Sequence, residues 1–196
     1  MARTNISVDQ AVFEEFSTQA EGQNKTLFAF ANEALSTVAK VSAEGGTPSD
    51  LYRLWRSVTV LKQIDVITLP SDFVDELIAK EYAGDKVNLF KMFHDLGGRL
   101  VGILKIAAPT LEELSELARD FTGILPIKQF RIARLQDDSV EIDIIGAGRR
   151  IESTECSFIF LQSILNGYGY TVKKHELNVG TIRAWASKRA SNWSPE

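Results

Sequence analysis

The sequence predicts an α+β protein built in two parts, and three observations predict it. Residues 1–40 hold a short alternating segment followed by two helix-like apolar stripes. Residues 41–50, VSAEGGTPSD, gather Gly45, Gly46, Pro48 and small polar side chains and so read as a linker. From 51 to 188 helical periods give way to strand-like alternation in the order helices, two strands, helix, two strands, which is the pattern of an α+β domain with an antiparallel sheet. Residues 189–196 read as a tail that Trp193 alone could anchor.

Composition bounds the answer. The 196 residues are 44% hydrophobic and 24% charged, enough apolar material for a sizeable core. Cys156 is the single cysteine, so it closes no disulfide within the chain and supplies no cysteine-rich zinc site. The start MARTNISVDQ has no apolar stretch behind a basic end and is not a signal peptide. The longest apolar run, 100–108, contains Lys105 and is too short to span a bilayer. A soluble, cytoplasmic protein with no membrane partner is expected. The net charge of −4 excludes a generally basic surface but leaves room for a local basic patch, doubled in a dimer.

The first element is a strand at 3–8, RTNISV. Alternation puts Thr4, Ile6 and Val8 on one face and Arg3, Asn5 and Ser7 on the other. A lone strand this short is unstable, and the simplest partner is its copy from a second chain. Asp9 stands where an N-cap belongs, and the helix behind it carries Val12, Phe13, Phe16 and Ala20 on one stripe. Asn24 can take the left-handed conformation that ends such a helix. Thr26 then caps a second helix bearing Leu27, Phe28, Phe30, Ala31, Ala34, Leu35 and Val38, apolar around more than half its circumference. So much apolar surface on a short helix again calls for a dimer.

Strand, helix, a turn of the form Gly-x-Ser/Thr with Asn24 in place of the usual glycine, then a helix ending in Glu-Ala-Leu resembles the ribbon-helix-helix family of transcriptional regulators over about forty residues. The resemblance implies a homodimer whose paired strands enter the major groove of double-stranded DNA. It implies Arg3, Asn5 and Ser7 as base-contacting residues, a set whose chemistry suits guanine, adenine and either base in turn. It also implies Lys25, Thr26 and Leu27 as phosphate-contacting residues at the second helix N-terminus. Against this, residues 1–46 hold only Arg3, Lys25 and Lys40 as bases and six acids, a net of −3.

In the second part, Leu51, Leu54, Trp55, Val58 and Leu61 recur at helical spacing. After Leu69 and Pro70, Ser71 opens a helix to about Tyr82. A further helix is expected over 88–107, with Gly97, Gly98 and Gly102 inside it. Glycines there weaken a helix, so close packing against another element is their expected reason. Thr110 caps LEELSELARDF. Strands at 128–135 and 139–145 flank the turn Gln136, Asp137 and Asp138; Ser153 or Thr154 caps the next helix; strands at 170–176 and 181–186 flank Asn178, Val179 and Gly180.

DLGGRLVGIL early and ECSFIFLQSILNGYGYTVKKHELNVGTIRAWA late make residues 51–188 similar to the superfamily of vinyl-reductase-type and haem-NO-binding domains. Cys156 matches the leading cysteine of the late helix and Gly180 the late glycine. The later cysteines of vinyl-reductase-type domains are missing, so the resemblance implies no metal ligation through them. What it implies is a ligand-sensing or oligomerising domain.

The remaining motifs have bland readings. Gly146, Ala147 and Gly148 before Arg149 and Arg150 resemble half of a phosphate loop but lack its third glycine, and read as a strand-exit turn. His94 could ligate a haem only by analogy and reads as a packed or surface histidine. His175 and Glu176 point to opposite faces of a strand, and Cys156 reads as a buried structural thiol. The acids 112, 113, 116 and 120, like 72, 75 and 76, read as solvated helix faces. With no triad, carboxylate pair or metal cluster to assemble, neither an enzyme nor a cofactor or metal is expected. The expected function is a sequence-specific DNA-binding regulator with a small-molecule effector or oligomerising C-terminal domain. The alternative is a small-molecule-binding or scaffold protein whose N-terminal module serves dimerisation alone.

Overall fold

Capping chemistry sets the N-terminal helices where the sequence places them. In the structure, a computed structural model that describes residues 5–122 and 124–189, the Asp9 carboxylate accepts the N–H of Ala11 and opens α1, Gln10–Gly22. Asn24 then takes φ 54°. The Thr26 hydroxyl accepts the N–H of Ala29 and opens α2, Leu27–Ala43. α2 therefore runs into the residues read as linker. It stops at Gly45, whose φ of 87° suits a residue without a Cβ. Thr47 and Asp50 cap each other reciprocally at the start of α3, Pro48–Gln63, so the turn between helices narrows to 44–47. The chain divides into two compact units, Met1–Tyr52 and Arg53–Glu196.

Inside the first unit α1 and α2 meet through Phe16 and Phe30, with ring centroids 4.6 Å apart, and Ala20 is buried between them. Residues 5–8, which fall in the expected strand, are assigned to no strand in the single chain.

The second unit is a four-stranded antiparallel sheet with helices packed on one face. α4, Ser71–Ala107, joins the two helices expected from sequence through a kink at Asp85, where φ −144° and ψ 77° leave the helical region. α5, Leu111–Phe121, starts on a complete capping box of Thr110 and Glu113. β1, Gln129–Arg134, and β2, Ser139–Ile145, are joined by a tight turn in which Asp137 and Asp138 both have positive φ, as a two-residue hairpin requires. α6, Ile151–Gly167, precedes β3, Tyr170–Asn178, and β4, Thr181–Lys188. The sheet order is β1-β2-β4-β3, all pairs antiparallel.

Alternation builds the core. Val140, Ile142 and Ile144 of β2 and Ile182, Ala184 and Ala186 of β4 are buried against Leu111, Leu114 and Leu117 of α5 and Leu161, Ile164 and Leu165 of α6. The opposite sheet face carries Glu141, Asp143, Arg183 and Trp185. An α+β architecture with an antiparallel sheet is thus what the chain adopts. Among the described residues no helix is long and apolar enough to cross a membrane.

α6 begins earlier than expected. Its N-cap is Arg150, not Ser153 or Thr154. The Thr154 hydroxyl is engaged elsewhere: it donates to the Arg150 carbonyl and accepts the N–H of Gly180. The loop before it turns as a strand exit, with Gly146 and Gly148 at φ 97° and 106°, and the N–H groups of Gly146 and Ala147 bond the Gly180 carbonyl.

Candidate functional site

The residues singled out for DNA fall in the first unit, and the structure treats them unequally. Arg3 lies outside the described residues. Asn5 and Ser7 are exposed, but so are Ile6 (65%) and Val8, the side chains read on the strand's opposite, apolar face. Thr26 uses its hydroxyl as the α2 cap, and Leu27 begins that helix with its side chain open. Lys25 is committed within the chain: its Nζ lies 2.5 Å from Glu33 Oε2 and also sits over the Phe30 ring at 5.8 Å. The ammonium meant for a phosphate thus already has a carboxylate.

Around these residues the first unit leaves a broad apolar surface open. Val12 and Phe13 of α1, and Phe28 (64%) and Leu35 of α2, are exposed together with Ile6 and Val8.

In the second unit a polar cluster gathers where sequence reasoning saw none. Tyr82 Oη donates to Glu155 Oε2 at 2.7 Å, and Lys86 Nζ donates to the same carboxylate oxygen at 2.9 Å and to Tyr82 Oη. Burial works against the Glu155 charge, but the bonds from Lys86 and Tyr82 outweigh it and hold the carboxyl below its usual range. Lys86 is raised, first by its bond to Tyr82 and then by Glu155. The only sequence signal was Tyr and Lys four residues apart on one helix; the acid comes from α6, 69 residues beyond Lys86. Next to Glu155, Cys156 is fully buried, and burial, with the Glu155 charge added, pushes its thiol up to about 11. It is buried, as the sequence reading expects.

A buried acid was also missed. Asp75, read as part of a solvated face, is buried, and its Oδ2 accepts the N–H of Arg149 just before α6 at 3.1 Å. The carboxylate complements the positive end of that helix, which its own N-cap side chain leaves unbonded. Among the described residues no group of three or more His, Cys, Asp and Glu could hold a metal ion. A groove of about 280 Å³ is lined by Val58, Leu61, Lys62, Asp65 and Val66.

No protein-family model matches the chain, and no curated protein matches it. Three solved chains that do match in course are H-NOX proteins. One comes from work on haem distortion in the H-NOX family (TM-score 0.42, 13% identity, 70% of this chain and 87% of that one). Another is a Cs H-NOX mutant with 4-cyano-L-phenylalanine (0.41, 12%, 70% and 88%). The third is a double mutant of Tt H-NOX (0.41, 15%, 75% and 92%).

His94, His175 and Cys156, side chains of types that can hold haem iron, lie on different elements and in different settings. Iron in such a group takes an axial His, thiolate, Met or Tyr. His94 is 55% exposed at its side chain, with Nδ1 3.5 Å from Asp95. The His175 ring packs on Phe158 with centroids 4.2 Å apart. The Cys156 thiol is held protonated by burial. Between helices and sheet, the buried side chains of α5 and α6 meet those of β2 and β4 in one apolar cluster.

Proposed function

We propose that the protein works as a homodimer in which the first unit pairs two chains and the α+β unit of each carries recognition of a small molecule or a further partner. The observation that carries this reading is the exposed apolar surface of the first unit. Among the described residues Ala20 is the one buried apolar side chain of this unit, while Ile6, Val8, Val12, Phe13 and Leu35 are exposed. Each large apolar side chain moved from water into an interface contributes roughly 1.5–3 kcal/mol, so a second copy is the natural complement. Pairing of the 5–8 segment with its copy would also supply the backbone partners that a single chain lacks. The test is the mass of the full chain in solution, compared with that of a variant carrying Leu35→Glu.

A second reading is that the same dimer binds double-stranded DNA. It is supported by the exposure of Asn5 and Ser7 and by the well-formed, Thr26-capped start of α2. The Lys25–Glu33 pair and the net charge of −3 over residues 1–46 weigh against it. Titration with duplex DNA at low and moderate salt separates the two. DNA binding weakens steeply as salt rises and is lost with Arg3→Ala or Asn5→Ala, whereas a dimerisation-only module binds duplex at neither salt.

A further inference from the structure

α4 is two helices of different character. Beyond the kink, residues 86–107 bury Leu89, Gly97 and Leu104, and Leu104 belongs to the apolar core. Before it, residues 71–84 contribute no side chain to that core, and the one buried side chain is the carboxylate of Asp75. The half-buried face of this segment is Ser71, Val74, Ile78, Ala79 and Tyr82, while Phe73 and Leu77 are exposed. The segment is held at two polar points: Asp75 on the Arg149 N–H, and Tyr82 on Glu155.

The kink separates two helices, each with its own start. A Cβ on Gly84 would meet nothing within 4 Å, so no neighbour crowds the backbone at the break. Asp85 leaves the helical region, and its Oδ1 accepts the N–H of Asn88, capping the second half as an independent helix. Lys86, on the far side of the break, reaches the same Glu155 oxygen as Tyr82. The second half therefore stays on α6 when the Tyr82 contact opens.

We propose that residues 71–84 are a hinged arm that swings away from α6 about Gly84 and Asp85 while the rest of the unit stays folded, with Asp75 and Tyr82 as its latches. Opening frees the Arg149 N–H and the first turns of α6, where the Ser153 hydroxyl is buried without a hydrogen-bond partner.

The test is amide hydrogen exchange, followed by mass spectrometry on the unmodified full chain. The arm's amides, 74–84, exchange at least about tenfold faster than 89–104, by an opening that depends little on denaturant. Equal rates with one shared denaturant dependence overturn the arm. Tyr82→Phe removes one latch: exchange of the arm's amides rises and 89–104 is unchanged. No change in the arm, or the same acceleration along all of α4, overturns the latch. Should that variant fail to fold, the unmodified chain still decides whether the arm opens.

Discussion

Ser163 of α6 donates its hydroxyl to the backbone carbonyl of His94 at 2.7 Å, three residues before Gly97, whose missing side chain lets α4 and α6 approach that closely. A Cβ at Gly97 would stand 2.8 Å from both the Phe160 carbonyl oxygen and the Ser163 Cβ. Neither is the end of a flexible chain.

Gly97→Ala is therefore expected to destabilise the second unit by about 1–3 kcal/mol through forced separation of the helices. Gly102, with nothing within 4 Å of its would-be Cβ, behaves oppositely: Gly102→Ala gains roughly 0.5–1 kcal/mol of helix propensity. Denaturant midpoints of the two variants should move in opposite directions.

Tyr168 donates its hydroxyl to the carbonyl of buried Ala108 at 2.7 Å, and burial pushes its pKa up to about 12 from 10.0. The folded state holds this proton more tightly than the unfolded chain. The contribution is whole below pH 10 and is lost as pH rises from 10 towards 12. Tyr168→Phe should cost about 1–2 kcal/mol at neutral pH by leaving the carbonyl unpaired. It should also flatten the decline of stability across that alkaline window relative to the parent.

On the open sheet face, Arg131, Asp143 and Arg183 stand side by side across β1, β2 and β4. Asp143 is 13% exposed. Burial disfavours its charge, but hydrogen bonds from Arg183 and Arg131 prevail and hold its carboxyl below the ordinary 3.8. The stabilisation is present above the ordinary carboxylate pKa and fades as pH falls through the lowered one. Asp143→Asn should lower stability at pH 7 by about 1–2 kcal/mol and remove part of the acid-side slope, read from unfolding midpoints between neutral and acid pH.

Local chemistry was legible in the sequence wherever a residue acts on its own neighbours. The caps Asp9, Thr26 and Thr110, the left-handed Asn24, the Asp137 and Asp138 hairpin, and the close-packed glycine at 97 all follow from short-range rules. What escaped depends on partners far along the chain. Thr154 looked like a cap because nothing nearby shows that Gly180 needs its hydroxyl. Asp75 looked solvated because its partner, the Arg149 N–H, lies 74 residues away. Lys25 looked available to a phosphate until α2 folded back and brought Glu33 to it. The strand expected at 3–8 depends on another chain, so its test lies in the assembly.

That assembly is most directly tested by sedimentation equilibrium of the full chain at micromolar concentration, alone and with Leu35→Glu. The dimer account predicts twice the chain's 21.8 kDa for the parent and a return to 21.8 kDa for the variant, with the sheet's circular dichroism retained. A parent that sediments at 21.8 kDa throughout, with Val12 and Leu35 left in water, would contradict it.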